Sequence, residues 1–338
     1  VRTDDFDYVL PPELIAQRPV RPRDHSRLLV LDRATGRIEH ARFDGLPAYL
    51  RPGDMLVLNE TRVLAARLLA RKLPTGGRCE VLLLHRESER CWEAWVGGRG
   101  LGPKRRLQVE GGPAATIEAD LGGSRRRIRF DEPISPLLER IGTMPVPPYV
   151  HAPLEHPDDY QTVFGRVPGS AAAPTAGLHF TPELLDRLRM SGILLGYVTL
   201  HIGLDTFAPV EEEDPSQHRI HTEWCRLSEA TAAQVREVKG AGKRVVALGT
   251  TSVRTLESAR RGFAGEMRAF EGPTDLYILP GFEFGVVDAL LTNFHLPRST
   301  LLMLVSAFAG RERILSTYEV AIREGYRFYS FGDAMLIV

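Results

Sequence analysis

The chain has 338 residues, 43% hydrophobic and 25% charged, enough to bury a sizeable core and to divide into two domains. Lys+Arg and Asp+Glu each total 43, so the formal net charge of +0 excludes a globally basic surface and confines any nucleic-acid contact to a local patch. The three cysteines, Cys79, Cys91 and Cys225, are odd in number and form no CxxC pair, which argues against a disulfide framework or a structural zinc site. No stretch reads as a signal peptide or a membrane span, so a cytoplasmic protein with no membrane association is expected.

In chain order, the apolar runs Arg27–Leu31 and 54–58 are predicted strands buried on both faces. From 67 to 149 the pattern changes to short β-type segments at 80–85, 92–96, 115–119 and 126–130, separated by Gly and Pro and lacking helical periodicity. Beyond Thr181, helices and strands alternate: helix Pro182–Met190, strand 193–200, helix 228–240, strand 244–248 and helix 252–261, with a strand-like 286–290 before a helix at 301–309. Such alternation predicts an α/β fold with a largely parallel sheet. The expected organisation is a discontinuous α/β domain (1–66 plus 150–338) interrupted by a small antiparallel, barrel-like insert (67–149).

The insert carries a charge bias that the total conceals. Residues 66–150 hold fifteen Lys/Arg against ten Asp/Glu, leaving +5 there. Arg99, Lys104, Arg105 and Arg106, with Arg125, Arg126 and Arg127, suit phosphate contact on a polyanion, or else form a solvated strand face.

Several strand-to-helix turns collect groups that bear chemistry. Val245-Val246-Ala247-Leu248-Gly249-Thr250-Thr251-Ser252 runs from an apolar strand into a helix that contains Arg254 and Glu257. Its start, with Ser252 as the expected N-cap, offers free N–H groups to a carboxylate or phosphate. Ala173-Pro174-Thr175-Ala176-Gly177-Leu178-His179-Phe180 is a small-residue loop that ends on a titratable group. His201 closes a strand, and Leu291-Thr292-Asn293-Phe294-His295 leads through Ser299 and Thr300 into the apolar helix at 301–309. Ser330-Phe331-Gly332-Asp333 forms the last such turn.

Two apparent motifs do not survive their context. His218, His221 and Glu223 resemble metal ligands in type, but no third ligand follows in register, so no metal is expected. Gly97-Gly98-Arg99-Gly100-Leu101-Gly102 is followed by Pro103 and a basic strand where a dinucleotide loop needs a helix, and no P-loop sequence occurs.

Taken together, the ordered segments resemble the S-adenosylmethionine:tRNA ribosyltransferase-isomerase family of queuosine biosynthesis. The likeness runs through Asp7-Tyr8-Val9-Leu10-Pro11, Ser26-Arg27-Leu28-Leu29, Asn59-Glu60-Thr61-Arg62-Val63 and Met144-Pro145-Val146-Pro147-Pro148-Tyr149. It continues with Tyr160-Gln161-Thr162-Val163, Ala173 to Phe180, Gly249 to Arg254, Thr292 to Leu304 and Tyr326 to Ile337.

The resemblance implies a monomeric enzyme that uses S-adenosylmethionine as co-substrate and has no prosthetic group. Such an enzyme moves the donor's ribosyl unit onto the 7-aminomethyl-7-deazaguanine wobble base of tRNA, leaving epoxyqueuosine and releasing adenine and methionine. The carbon beside a sulfonium is acidic, so a placed base can remove its proton, and the departing adenine needs a proton or a hydrogen bond. His179, His201 and His295 are the candidates for proton transfer, with Glu223 and Glu257 as alternative bases. Gly249, Thr250, Thr251, Ser252 and Arg254 are expected to hold the donor's carboxylate or a tRNA phosphate. Asn59, Thr61, Arg62, Thr175, Gly177, Thr206, Asn293, Ser299, Thr300 and Asp333 are expected to line the same cavity. The chain departs from the family pattern at Asp205, where a glycine is usual before Thr206-Phe207.

Overall fold

Strand β1 (Arg27–Leu31) shows how the larger part of the protein is built. Leu29 and Leu31 enter one apolar layer with Met55, Val57, Val245 and Ala247, while Leu28 and Val30 enter the opposite layer with Leu56, Leu58, Val246 and Leu248. Successive side chains of a strand point to opposite faces, so a strand apolar at every position is one covered on both sides. The computed structural model describes residues 1–203 and 209–338. Two compact units emerge: Val1–Arg62 with Pro147–Val167 and Ala173–Val338, and Val63–Val146 with Pro168–Ala172.

After β1 come β2 (Ile38–Arg42), β3 (Met55–Asn59) and the short β4 (Thr61–Val63). The insert supplies β5 (Arg67–Leu73), β6 (Arg78–Arg86), β7 (Cys91–Gly97), β8 (Arg106–Val109), β9 (Ala114–Asp120), β10 (Arg125–Phe130) and the one-turn helix α1 (Leu138–Ile141). Then follow β11 (Val167–Ser170), α2 (Pro182–Met190), β12 (Leu194–Leu200), β13 (Glu223–Leu227), α3 (Glu229–Gly240), β14 (Val245–Leu248) and α4 (Gly249–Gly262). The chain finishes with β15 (Phe270–Thr274), β16 (Ala289–Asn293), α5 (Thr300–Ala309), α6 (Arg311–Arg323) and β17 (Ala334–Ile337).

The first unit holds a nine-stranded mixed sheet in the order β15-β13-β12-β3-β14-β16-β17-β1-β2. Its centre, β12-β3-β14-β16, is parallel throughout, as the alternating pattern leads one to expect, and antiparallel strands flank it. Apolar residues of α3, α4, α5 and α6 cover one face, and Leu184, Leu185 and Leu188 of α2 with Phe43 and Leu46 cover the other. The second unit is a closed antiparallel barrel, β10-β7-β6-β5-β8-β9, filled by Leu68, Val81, Leu83, Ala94, Leu107, Ile117 and Ile128. Closure removes the sheet edges that a small unit would otherwise expose.

Two boundaries differ from the sequence reading, each for a local reason. The helix expected to start after Ser252 begins at Gly249, because Gly249 takes φ +79 and turns the chain at once; Ser252 lies inside the helix and is not its cap. The strand expected at 286–290 begins only at Ala289. The N–H groups of Gly285, Val286 and Val287 all donate to the Glu257 carboxylate at 3.0–3.1 Å, so they are unavailable to a strand ladder.

Candidate active site

The parallel strands β12, β14 and β16 end at the same edge of the sheet, with β3 between β12 and β14, and ligands of α/β sheets bind beyond such ends. Here the segments after them, with the loop around Thr175 and the residues before β17, enclose a cavity of about 540 Å³ of empty space, its open mouth included. Its lining includes Thr175, Gly249, Thr250, Thr251, Asn293 and His295, together with Tyr149, Thr292, Tyr329 and Ser330. No Asp, Glu, Lys or Arg lines it among the described residues. Such a wall excludes water well and leaves recognition to dipoles, hydroxyls and ring faces.

At its floor, α4 begins without a side-chain cap, whereas α2, α3 and α5 start on Thr181, Ser228 and Ser299, each accepting from a backbone N–H of the first turn. The first four N–H groups of a helix have no partner within it and carry its positive dipole end. Thr251 Oγ1 and Ser252 Oγ are buried beside them and have no hydrogen-bond partner among the described residues. Across the cavity Asn293, buried, spends its amide N–H groups on the Tyr329 carbonyl at 3.1 Å and on His179 Nε2 at 3.2 Å, and its buried Oδ1 has no donor among the described residues. An unmet buried acceptor costs about 1–3 kcal/mol, so this part of the fold is incomplete until something donates to it. Tyr329 itself has φ +71, a left-handed backbone that bulky residues avoid and that strain at binding sites preserves.

The three histidines have distinct surroundings. His179 is buried, stacks on Phe43 with ring centroids 4.8 Å apart, and uses both nitrogens, Nδ1 on Ser26 Oγ at 2.7 Å and Nε2 on the Asn293 amide. Since Asn293 Nδ2 can only donate, Nε2 accepts and Nδ1–H donates to Ser26. Burial, reinforced by Arg327 and Arg23, pushes the His179 pKa down to about 3. His201 stacks on Trp224 at 5.2 Å and shares Thr61 Oγ1 through Nδ1 at 2.8 Å; burial lowers its pKa too, and it stands outside the cavity lining. His295 lines the cavity, binds Thr292 Oγ1 through Nε2 at 3.1 Å, and is held by burial to a pKa of about 3. Among the described residues no hydrogen bond is recorded to its Nδ1.

A stability consequence follows from the two buried rings. The folded pKa of each lies below the unfolded value near 6.5, so the unfolded chain binds the extra proton and stability falls as pH drops from about 6.5 towards 3. Each histidine is expected to remove about 2 kcal/mol between pH 7.5 and 5. Urea unfolding at both pH values checks this: His179→Gln, which cannot titrate there, should show a smaller pH drop than wild type, and an equal drop would contradict it.

The remaining candidates divide clearly. Glu223 Oε1 accepts from Gly203 N–H at 2.9 Å and lies 3.2 Å from His221 Nε2, while Oε2 pairs with Arg254. Burial alone would raise the Glu223 pKa, but Arg254 and then His221 outweigh it and bring it to about 2. Arg254 also donates to the Leu276 carbonyl at 3.0 Å, so its charge is neutralised inside the protein, and Glu257 is spent on its three backbone donors. Asn59 bridges to Leu200 through both its amide and its carbonyl, and Asp333 accepts from the N–H groups of Arg27 and Arg327. Gly177 is packed where a Cβ would meet Phe164 and Thr162 at 2.7 Å, Ser299 caps α5, and Arg62 and Thr300 are half-buried outside the lining. Thr206 and Asp205 lie outside the described residues. His218 pairs with Glu212 at 2.8 Å. Tyr149 and Tyr329, whose rings lie 4.8 Å apart, were not singled out in the sequence, although both fall within the segments that carry the resemblance.

On the barrel, four of the basic candidates are neutralised: Arg106 by Asp131, Arg125 by Glu93, Arg126 by Asp120 and Arg127 by Glu87. Arg99, Lys104 and Arg105 make no ion pair among the described residues.

A profile of the queuosine biosynthesis protein family matches residues 3–337. The chain belongs to this family. It is 54% identical to an S-adenosylmethionine:tRNA ribosyltransferase-isomerase of Symbiobacterium thermophilum and 51% identical to one of Moorella thermoacetica, with all of each chain covered. It is also similar to the crystal structure of the S-adenosylmethionine tRNA ribosyltransferase of Thermotoga maritima, at 40% identity and a TM-score of 0.58, over 99% of this chain and 100% of that one. Family membership therefore spans both units, barrel included.

Proposed function

We propose that the protein is an S-adenosylmethionine:tRNA ribosyltransferase-isomerase that builds epoxyqueuosine on the 7-aminomethyl-7-deazaguanine wobble base of tRNA and releases adenine and methionine. The observation that carries this reading is 54% identity over the entire length of a relative so named. The cavity supports it chemically, since its parts answer to the parts of the donor.

On this reading the uncapped start of α4, with Gly249, Thr250 and Thr251, receives the methionine carboxylate: backbone N–H groups and the Thr251 hydroxyl donate to it, and the helix dipole favours its charge. With no carboxylate in the described lining, the sulfonium rests against aromatic faces, for which Tyr149 and Tyr329 are placed. Asn293 Oδ1 accepts a hydrogen bond from the donor's amino or hydroxyl groups. His295 is the proton-transfer group. Neutral at working pH, it enters as an acceptor for the proton of the acidic carbon beside the sulfonium. His179 acts indirectly, by fixing the Asn293 amide so that Oδ1 remains free. Arg254, Glu223 and Glu257 hold the frame. S-adenosylmethionine is the co-substrate, and the protein is cytoplasmic and monomeric.

Small-molecule products separate this reaction from methyl transfer. With S-adenosylmethionine and tRNA bearing the modified base, adenine and methionine should appear together and in equal amounts. S-adenosylhomocysteine in their place would overturn the proposal.

A further inference from the structure

One end of the barrel differs from the other in charge. The turns 74–77, 98–105 and 121–124 join β5 to β6, β7 to β8 and β9 to β10, and therefore cluster at that end. Between Lys72 and Cys79, and between Gly97 and Val109, there is no Asp or Glu, but there are Lys72, Arg78, Arg99, Lys104, Arg105 and Arg106. Arg106 is taken by Asp131; the other five make no ion pair among the described residues. Three of them are held through the backbone of these turns: Lys72 Nζ donates to the Arg99 carbonyl at 3.0 Å, and Arg105 to the carbonyls of Gly100 at 3.1 Å and Leu73 at 3.4 Å. Arg78, Arg99 and Lys104 are exposed. The turns at the opposite end mix signs, with Glu87, Glu89 and Arg90 in one and Glu110 in another.

Lys104 adds a second kind of observation. Its φ is +69, in the left-handed region where a Cβ costs about 1–2 kcal/mol, and its N–H is fixed on the Ile117 carbonyl at 2.7 Å. Glycine would serve the turn better, and glycines stand all around it. Gly102, two residues before it, has ordinary φ and nothing within 4 Å of where a Cβ would be, so the fold would accept a side chain there and the chain leaves the surface bare. A strained cation beside a bare backbone is a surface shaped for close approach by something negatively charged.

We infer that this end of the barrel, through Lys72, Arg78, Arg99, Lys104 and Arg105, grips the sugar-phosphate backbone of the RNA substrate. The inference rests on the proposed reaction for the identity of the RNA. Phosphate contact is sequence-independent, so the patch supplies affinity and register while the modified base supplies selection. Ion-paired Arg106, Arg125, Arg126 and Arg127 contribute to the barrel instead.

The test is binding of an unmodified tRNA transcript to the full chain without S-adenosylmethionine, measured across a salt series. Each phosphate contact removed should flatten the slope of log K against log salt by about 0.7–0.9. Lys104→Gly is the informative variant, because it relieves backbone strain while deleting a charge: it should fold at least as well as wild type yet bind RNA more weakly and with a lower slope. Arg99→Ala should do the same, and Arg90→Ala, an equal charge loss at the other end, should leave the slope unchanged. Equal slopes for wild type, Lys104→Gly and Arg99→Ala would overturn the patch while leaving the proposed reaction standing. Failure of the wild-type chain to bind the transcript at all would likewise overturn the patch, whereas the reaction itself stands or falls by the products formed from modified tRNA and S-adenosylmethionine.

Discussion

His295→Ala is expected to lower the single-turnover rate of ribosyl transfer by about 10²–10⁴-fold, the range that a positioned acid–base group contributes, with tRNA affinity unchanged. The reason is geometric before it is electrostatic. His179 has spent both ring nitrogens, and His201 is paired with Thr61 and stacked on Trp224 outside the lining. Only His295 of the three lines the cavity with one nitrogen, Nε2, on a hydroxyl and the other unengaged among the described residues. If Nε2–H donates to Thr292, the Nδ1 lone pair is the acceptor, and burial keeps that lone pair unprotonated far below neutral pH. Thr292→Val should then lower the rate without abolishing it, because the ring loses its orienting partner but keeps its lone pair. A His295→Ala protein that folds, binds both substrates and turns over at the wild-type rate would remove the histidine from the chemistry.

Arg254→Met is expected to destabilise the protein by about 3–5 kcal/mol, because it strands the Glu223 carboxylate in the interior. Both side chains of that pair are at most 5% exposed, and among the described residues the carboxylate's other partners include Gly203 N–H and His221, which do not replace a guanidinium. Glu223→Gln alone should also destabilise, and the double variant Glu223→Gln/Arg254→Met should lose clearly less than the sum of the single losses, the signature of a direct pair. Urea midpoints measure all three. Additive losses would mean that the two groups act separately. The pair matters to the site because Gly203, which it anchors, directly follows Ile202 of the cavity wall.

These two residues mark where the sequence stopped being readable. Arg254 and Glu257 sit within a helix that starts at a ligand-type turn, so they were expected to face a ligand; the partners that claim them, Glu223 and the N–H groups of 285–287, come from distant segments whose approach is a tertiary fact. The same holds for Arg106, Arg125 and Arg127, which meet carboxylates 25, 32 and 40 residues away across the barrel. What local pattern does encode was legible. The continuous apolar run 28–31 lies in a strand covered on both faces, Pro182–Met190 is the helix its Thr181-Pro182 start announces, and the Gly- and Pro-punctuated β segments close into a barrel. The cavity itself was half legible. Turns after strands pointed to Thr250, Thr251, Asn293 and His295, whereas Tyr149 and Tyr329 carry no polar signature that distinguishes a ring against a ligand from a ring in a core.

In the proposed reaction the ribosyl unit, and not the methyl group, reaches the base. The direct measurement uses S-adenosylmethionine carrying ¹³C in the ribose alone, tRNA bearing 7-aminomethyl-7-deazaguanine, and mass spectrometry of the digested nucleosides. The expected product is an epoxyqueuosine nucleoside that carries the ribose label. A methylated nucleoside without that label, accompanied by labelled S-adenosylhomocysteine, would contradict it.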